Sequence, residues 1–97
     1  MKAYVISYID VQNAERYAEY AVRAPETVVP FGGRYLARNG KKHPLEGQPP
    51  DKRVVVMEFP SVEQAKAWHA SPAYQALIGT RHSASTGTIF IIEGAEP

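Results

Sequence analysis

Three stretches of this chain carry apolar side chains at consecutive positions, and this pattern limits the possible folds more than any other feature. Residues 53–59 read RVVVMEF, residues 3–9 read AYVISYI and residues 88–92 read TIFII. β-Branched and aromatic residues favour strands, and successive strand residues point to opposite faces of a sheet. Each predicted strand therefore presents apolar side chains to both faces.

A first helix is predicted to follow the first strand, with Asn13 as its N-cap. The Ala24-Pro25 step should break or bend this helix, because proline disfavours helical geometry in the residue before it. The apolar stripe of the helix consists of Ala14, Tyr17, Ala18, Ala21 and Val22, which repeat at helical spacing.

A second helical segment is predicted between residues 61 and 82. Ser61 and Gln64 form a capping box at its start, and Ser71-Pro72 restarts the helix with serine as cap. Gly79 and residues 83–87 should loosen the chain before the last strand.

Residues 34–38 (RYLAR) complete a β-α-β-β-α-β order, in which right-handed crossovers place both helices on one face. This order predicts an α+β, ferredoxin-like sandwich with a four-stranded antiparallel sheet, formed by residues 1–97 as one domain. Two helices cover only one face of such a sheet. The second apolar face would exceed the patch that monomers usually expose, so we expect a homodimer that packs sheet to sheet.

Composition argues against several partners. The net charge is +1, from 11 basic and 10 acidic residues, and residues 53–59 lack the basic-glycine-aromatic signature of RNA-binding sheets, so no nucleic acid is expected. No apolar run approaches the roughly 18 residues of a membrane span, and we expect a cytoplasmic protein without a membrane partner. There are no cysteines, and the three histidines lack metal-ligand spacing, so no metal site and no cofactor are predicted.

Glu58 is the least expected residue of its strand, because it shares a face with Val54 and Val56. A carboxylate there needs a partner or a raised pKa. It could act as a general base or orient a ligand at the floor of a cavity between sheets. The alternative is an ion pair at the strand end, with Arg38 or Lys52.

Arg38 and Arg81 are candidate anion-binding residues, because a guanidinium can hold a carboxylate through two hydrogen bonds. Arg38 could instead pair with Glu58 or Glu46, and Arg81 could simply favour the dipole at a helix C-terminus. Trp68 lies on a helical stripe, which favours core packing over a ligand-binding wall. We expect a pocket between the sheet and the long loop of residues 40–51, with a lining formed by Tyr8, Arg38, Glu58 and Trp68.

Several motifs along the chain form a recognisable set: Gly33, Tyr35 and Arg38, Leu45-Glu46-Gly47, Glu58-Phe59-Pro60-Ser61, Ala67-Trp68, Ser71-Pro72, Tyr74-Gln75, Arg81 and Glu93-Gly94. Together they resemble the domain-of-unknown-function family numbered 1330, within the dimeric α/β barrels. This resemblance implies a ferredoxin-like protomer and a dimer made by facing sheets. The superfamily is similar to antibiotic-biosynthesis monooxygenases, muconolactone isomerases and chlorite dismutase-like haem proteins. The chain departs from the family pattern at His69, where an aromatic residue such as tyrosine is expected, and at Asn39, where glycine is expected.

These observations predict a homodimer that binds a small organic molecule, anionic or carbonyl-bearing, in a pocket beside the sheet. One alternative is a cofactor-independent enzyme of the monooxygenase or isomerase type, with Glu58 as base. A structural or regulatory dimer module without a ligand is the other.

Overall fold

A computed structural model describes residues 1–96 and confirms the ferredoxin-like arrangement. The four strands are β1 (Ala3–Val11), β2 (Arg34–Arg38), β3 (Arg53–Phe59) and β4 (Ser85–Glu93), and they form one antiparallel sheet in the order β2-β3-β1-β4. Within residues 1–96, no helix combines the length and the apolar character that a membrane crossing requires. Helix α1 (Ala14–Val28) and a 3₁₀ turn (Val29–Phe31) lie between β1 and β2, and helices α2 (Val62–Ala70) and α3 (Pro72–Ala84) lie between β3 and β4.

The predicted caps begin all three α-helices. Asn13 Oδ1 accepts a hydrogen bond from the Arg16 backbone N–H at 3.0 Å, and Ser61 Oγ accepts one from Gln64 at 3.1 Å. Ser71 Oγ likewise accepts from Tyr74 at 3.3 Å, and proline follows it in the first helical position. The second helical segment is therefore divided into α2 and α3 at Ser71, as the Ser-Pro step predicted.

Of the break or bend predicted at Ala24-Pro25, the break is wrong, because helix α1 continues to Val28. Proline lacks an N–H, so the carbonyl of Ala21, one helical turn earlier, loses its usual backbone partner. The guanidinium of Arg38 donates a hydrogen bond to this carbonyl from the neighbouring strand β2. This donation offsets the missing helical hydrogen bond and lets the helix run through Pro25.

The predicted loosening near Gly79 and residues 83–87 is also wrong. Helix α3 continues to Ala84, and β4 starts at the next residue. The backbone N–H groups of Gln12 and Asn13 both donate to the Ala84 carbonyl, at 2.9 and 3.0 Å. These bonds tie the start of β4 to the end of β1, so both strands are longer than the sequence pattern suggested.

Both faces of the sheet carry apolar side chains, but helices cover only one of them. On the helix side, Val55, Met57 and Phe59 of β3 are buried. The other face, here called the open face, holds half-buried or exposed residues. Phe90 is 40% exposed and Ile92 is 53% exposed. The prediction that the strands present apolar side chains to both faces is confirmed: the apolar residues of the open face are Tyr4, Ile6, Tyr8, Val54, Val56, Phe90 and Ile92.

The two positions that depart from the family pattern keep the geometry that the pattern implies. Asn39 has a left-handed backbone with φ of 57°, which glycine adopts freely and asparagine tolerates better than most residues. The ring of His69 packs against Trp68 and Tyr74, with centroids 6.0 and 5.5 Å away. Histidine therefore occupies an aromatic site here.

Candidate functional site

The structure does not bring together the four residues that the sequence assigned to one pocket. Tyr8 lies on the open face, opposite Val54, where it borders the loop of residues 40–51. Glu58 lies on the same face but at the other end of β3. Arg38 points to the helix side, and Trp68 is buried between the helices and the sheet.

Glu58 is paired with two cations, and the predicted pairing with Arg38 or Lys52 is wrong. Its Oε1 lies 3.2 Å from Arg34 Nε and 3.4 Å from Lys2 Nζ, because Arg34 stands directly opposite Glu58 in the β2–β3 register. Desolvation raises the pKa of Glu58, but the hydrogen bond and charge of Arg34 together with Lys2 outweigh it and hold the pKa below its usual value. A carboxylate stabilised in this way is a weaker base.

Trp68 is packed as a core residue. It is 1% exposed, and its ring lies 5.4 Å from Phe59 and 4.2 Å from Tyr74, measured between centroids. Its indole N–H donates to Thr27 Oγ1 at 2.9 Å. The ring is buried and its polar atom has a partner, which fits the core-packing interpretation of the helical stripe.

A different group of residues surrounds a small cavity between the sheet and helices α1 and α3. The interior has a volume of about 20 Å³, room for roughly one water molecule. We call it the arginine–tyrosine cavity. Its polar lining comes from Ser7, Tyr17, Tyr20, Tyr35, Arg38, Arg53 and Arg81, and its apolar lining from Ile9, Ala21, Ala24, Val55, Met57 and Ile89.

Three different elements supply the arginines of this cavity. Arg81, in the last turn of α3, is only 7% exposed, and its Nη2 lies 3.1 Å from His82 Nε2. Arg53 begins β3 and lies over the ring of Tyr17 at 5.2 Å, while its buried Nε has no hydrogen-bond partner. Arg38 ends β2 and lies over the ring of Tyr35 at 5.0 Å.

Sequence reasoning found Arg38 and Arg81 but missed Arg53. The strand period of two carried the missing signal, because Arg53 alternates with Val55, Met57 and Phe59 toward the helix side. A basic residue that continues the alternation of buried apolar residues in a strand is therefore expected at the edge of the core.

Two buried tyrosines add hydroxyl groups beside the arginines. The Tyr20 and Tyr74 oxygens are 2.8 Å apart, and burial raises the pKa of both residues above the usual tyrosine value. Both hydroxyls are therefore protonated at neutral pH. One of the two protons makes the shared hydrogen bond, so the other remains available to a further acceptor.

The pKa of His69 reflects the positive charge of this region. Desolvation lowers the pKa of His69, and the charges of Arg81 and His82 lower it further. The imidazole consequently resists protonation more than a solvent-exposed histidine does. The local surroundings favour an added negative charge over an added positive one.

Comparisons with known proteins agree with this fold. A family model described as Domain of unknown function (DUF1330) matches residues 2–95. A comparison with curated proteins gives no match.

Solved structures similar to this chain share its fold at low sequence identity. A protein of unknown function from Rhodopseudomonas palustris has a TM-score of 0.78 at 18% identity, over 99% of this chain and 84% of its own. A dimeric ferredoxin-like protein of unknown function from Jannaschia sp. CCS1 has a TM-score of 0.73 at 12% identity, over 97% and 100%. The cofactor-independent oxygenase SnoaB from Streptomyces nogalater has a TM-score of 0.68 at 10% identity, over 99% and 95%.

Proposed function

We propose, since the chain belongs to the family Domain of unknown function (DUF1330), that it works as a homodimer that binds a small organic molecule. The ligand, anionic or carbonyl-bearing, would occupy the arginine–tyrosine cavity of each protomer. The open face on the other side of the sheet would be closed by the second copy.

The observation that carries this proposal is the lining of the cavity. Small-molecule sites are concave, largely apolar, and hold a few convergent polar groups that fix the orientation of the ligand. Here apolar side chains such as Val55 and Met57 surround guanidinium and hydroxyl donors from three arginines and three tyrosines. Such donors are suited to carboxylate and carbonyl oxygens.

The open face supports the homodimer. Ile6 lies between its strand partners Val56 and Phe90, and Tyr8 lies beside Val54. The rings of Tyr8 and Phe90 are 6.1 Å apart, measured between centroids. Two such faces packed together would bury on the order of 2,000 Å² in total, the range of obligate homodimers. Light scattering at micromolar concentration should give twice the mass of the chain, and a monomer mass would reject this part of the proposal.

A substitution that fills the cavity tests whether the ligand binds there. Ala21 lines the cavity from α1, whereas the exposed Ala18 faces the outer groove of the same helix. We expect Ala21→Leu to abolish the thermal stabilisation that a panel of small carboxylates and carbonyl compounds gives to the wild type. Ala18→Leu is the matched control and should bind like the wild type. A panel in which no compound stabilises the wild type would favour a structural dimer module without a ligand.

A second candidate is a cofactor-independent enzyme of the oxygenase or isomerase type, with Glu58 as base. It is favoured by the structural likeness to SnoaB, a cofactor-independent oxygenase. It is supported less than ligand binding alone, because Glu58 lies on the open face and its two cations lower its pKa. Conversion of a bound compound, measured by oxygen uptake or product analysis and lost in Glu58→Gln, would favour the enzyme.

A further inference from the structure

We infer that the arginine–tyrosine cavity binds the carboxylate group of a small organic acid, with Arg53 and Arg81 as its principal donors. This inference rests on the proposed ligand-binding function and narrows it, since it chooses a carboxylate over a neutral carbonyl compound. Charge, hydrogen-bond donors and the shape of the cavity each favour that choice.

Three arginines give the arginine–tyrosine cavity a positive charge. Its lining includes three arginines and no acidic residue. In the part of the chain that the structure describes, both ion pairs belong to Glu58, on the other side of the sheet. Arg81 is nine-tenths buried, and its hydrogen bond goes to another basic side chain, His82. Buried charges are usually paired, so this arrangement favours an anion from outside.

The contacts that the arginines already make compensate this charge only in part. Arg53 lies over the Tyr17 ring and Arg38 over the Tyr35 ring, which are attractive cation–π contacts. These contacts use the face of a guanidinium and leave the N–H groups of Arg53 available, whereas Arg38 already donates to the Ala21 carbonyl. The Nε of Arg53 is buried without a hydrogen-bond partner, and this orphaned donor belongs to a residue that lines the cavity.

Neutral donors add to the arginines. Within the Tyr20–Tyr74 pair one hydroxyl proton remains unused, and Tyr20 lines the cavity. A Tyr20 oxygen that accepts from Tyr74 can direct its own proton to a ligand oxygen. The second oxygen of a carboxylate would then have the guanidinium of Arg53 or Arg81 within the same lining.

Shape and polarity distinguish an organic acid from an inorganic anion. The interior of about 20 Å³ has room for about one water-sized group, so a ligand must be small and the flexible arginine side chains must move to admit it. Ile9, Val55, Met57 and Ile89 form an apolar wall beside the donors. An inorganic phosphate would place oxygen atoms against this apolar wall, whereas an organic acid would place hydrocarbon there.

The test compares propionate with its neutral isostere propionamide and with sodium chloride at the same concentration. Thermal shift and calorimetric titration are measured for the wild type, Arg53→Gln, Arg81→Gln and the control Arg23→Gln, which removes an exposed arginine of α1. We expect stabilisation by propionate above that by chloride or propionamide. The affinity for propionate should fall about tenfold or more in Arg53→Gln and change less than about twofold in Arg23→Gln.

The outcomes separate this inference from the function on which it rests. If propionamide and other neutral carbonyl compounds stabilise the wild type as well as propionate does, and Ala21→Leu abolishes both effects, the cavity binds ligands but the carboxylate inference is overturned. Equal stabilisation by chloride and propionate also overturns it, in favour of a monatomic anion. If no compound binds, both proposals fail. Arg81 is buried, so where Arg81→Gln does not fold, the propionate affinity of Arg53→Gln decides between these outcomes.

Discussion

The two sides of the sheet differ in whether their charged side chains have partners of opposite charge. On the open face, Glu58 is held by Arg34 and Lys2 within 3.4 Å, so this cluster contains both signs of charge. On the helix side, three arginines line one cavity that has no acidic residue in its lining. On the open face, the charged side chains pair with one another, but within residues 1–96 no other part of the chain covers the apolar residues. On the helix side, helices cover the sheet, but the arginines of the cavity have no acidic partner in its lining.

This difference indicates what each side needs from outside. Contact of an apolar face with water is unfavourable, and burial against a complementary apolar surface is favourable. A second copy of the chain provides such a surface. A cavity with surplus cations gains from an anion small enough to enter it. We therefore assign the open face to a protein partner and the helix side to a small ligand, and substitutions on each side test that assignment.

The largest expected effect is on the helix side, at Trp68. Trp68→Ala should lower the free energy of unfolding by about 3–5 kcal/mol, because it removes a large aromatic side chain that is 1% exposed and leaves a cavity. Urea denaturation measures the loss. Wild-type stability in this variant would mean that the helices do not cover this side as the structure indicates.

A charged substitution on the open face should lower stability strongly only if a second copy covers that face. In the homodimer, Val56→Asp would bury an unpaired carboxylate, dissociate the dimer and cost about 3 kcal/mol or more. In a monomer, the same half-buried position would tolerate the change far better. Light scattering and urea denaturation of Val56→Asp, beside the uncharged control Val56→Thr, distinguish the two cases. A variant that keeps the wild-type mass and stability would contradict the assignment of this face.

A smaller loss is expected at Gly87, where β4 pairs with β1 in the sheet that separates the two sides. A Cβ atom at this position would lie 2.2 Å from the backbone oxygen of Tyr8, and backbone cannot move aside as a flexible side chain can. Gly87→Ala should therefore cost about 1–3 kcal/mol. Gly79→Ala is the control, since a Cβ at Gly79 meets nothing within 4 Å. An equal effect of both variants in thermal denaturation would refute this account of the strand contact.

The smallest expected effect is a pH dependence from His69. Its pKa is lowered in the folded protein by desolvation and by Arg81 and His82, so the unfolded chain binds the proton more readily. Stability should fall as the pH drops below about 6.5, the ordinary histidine pKa, and this loss should level off below the folded pKa. His69→Tyr keeps an aromatic ring and should show a smaller fall between roughly pH 7 and 5.5. Identical profiles would remove His69 from the positively charged region.

The strands and caps were predictable from local sequence, whereas the positions of charged groups depended on strand register. The β3 pattern and the Asn13, Ser61 and Ser71 caps are short-range signals, and each is confirmed. The partner of Glu58 was not predictable, because the register that places Arg34 opposite it is set across a long loop. The helix through Pro25 likewise depends on Arg38 from another element.

The candidate site was predictable only in part for the same reason. Arg38 and Arg81 stand out as cations near element ends, but nothing local in the sequence shows that they share a cavity with Arg53. The sequence predicted that Tyr8 and Glu58 line a pocket beside the loop of residues 40–51 together with Arg38 and Trp68. The structure places Tyr8 and Glu58 on the open face, and Arg38 and Trp68 on the helix side.

The most direct test of the central claim is a crystal structure of the protein with propionate, because it shows which side of the sheet attracts the anion. We predict the carboxylate within hydrogen-bond distance of Arg53 or Arg81, inside the arginine–tyrosine cavity, with the hydrocarbon against Val55 or Met57. Propionate bound instead at Lys2 and Arg34 on the open face, with the cavity holding only water, would contradict the account.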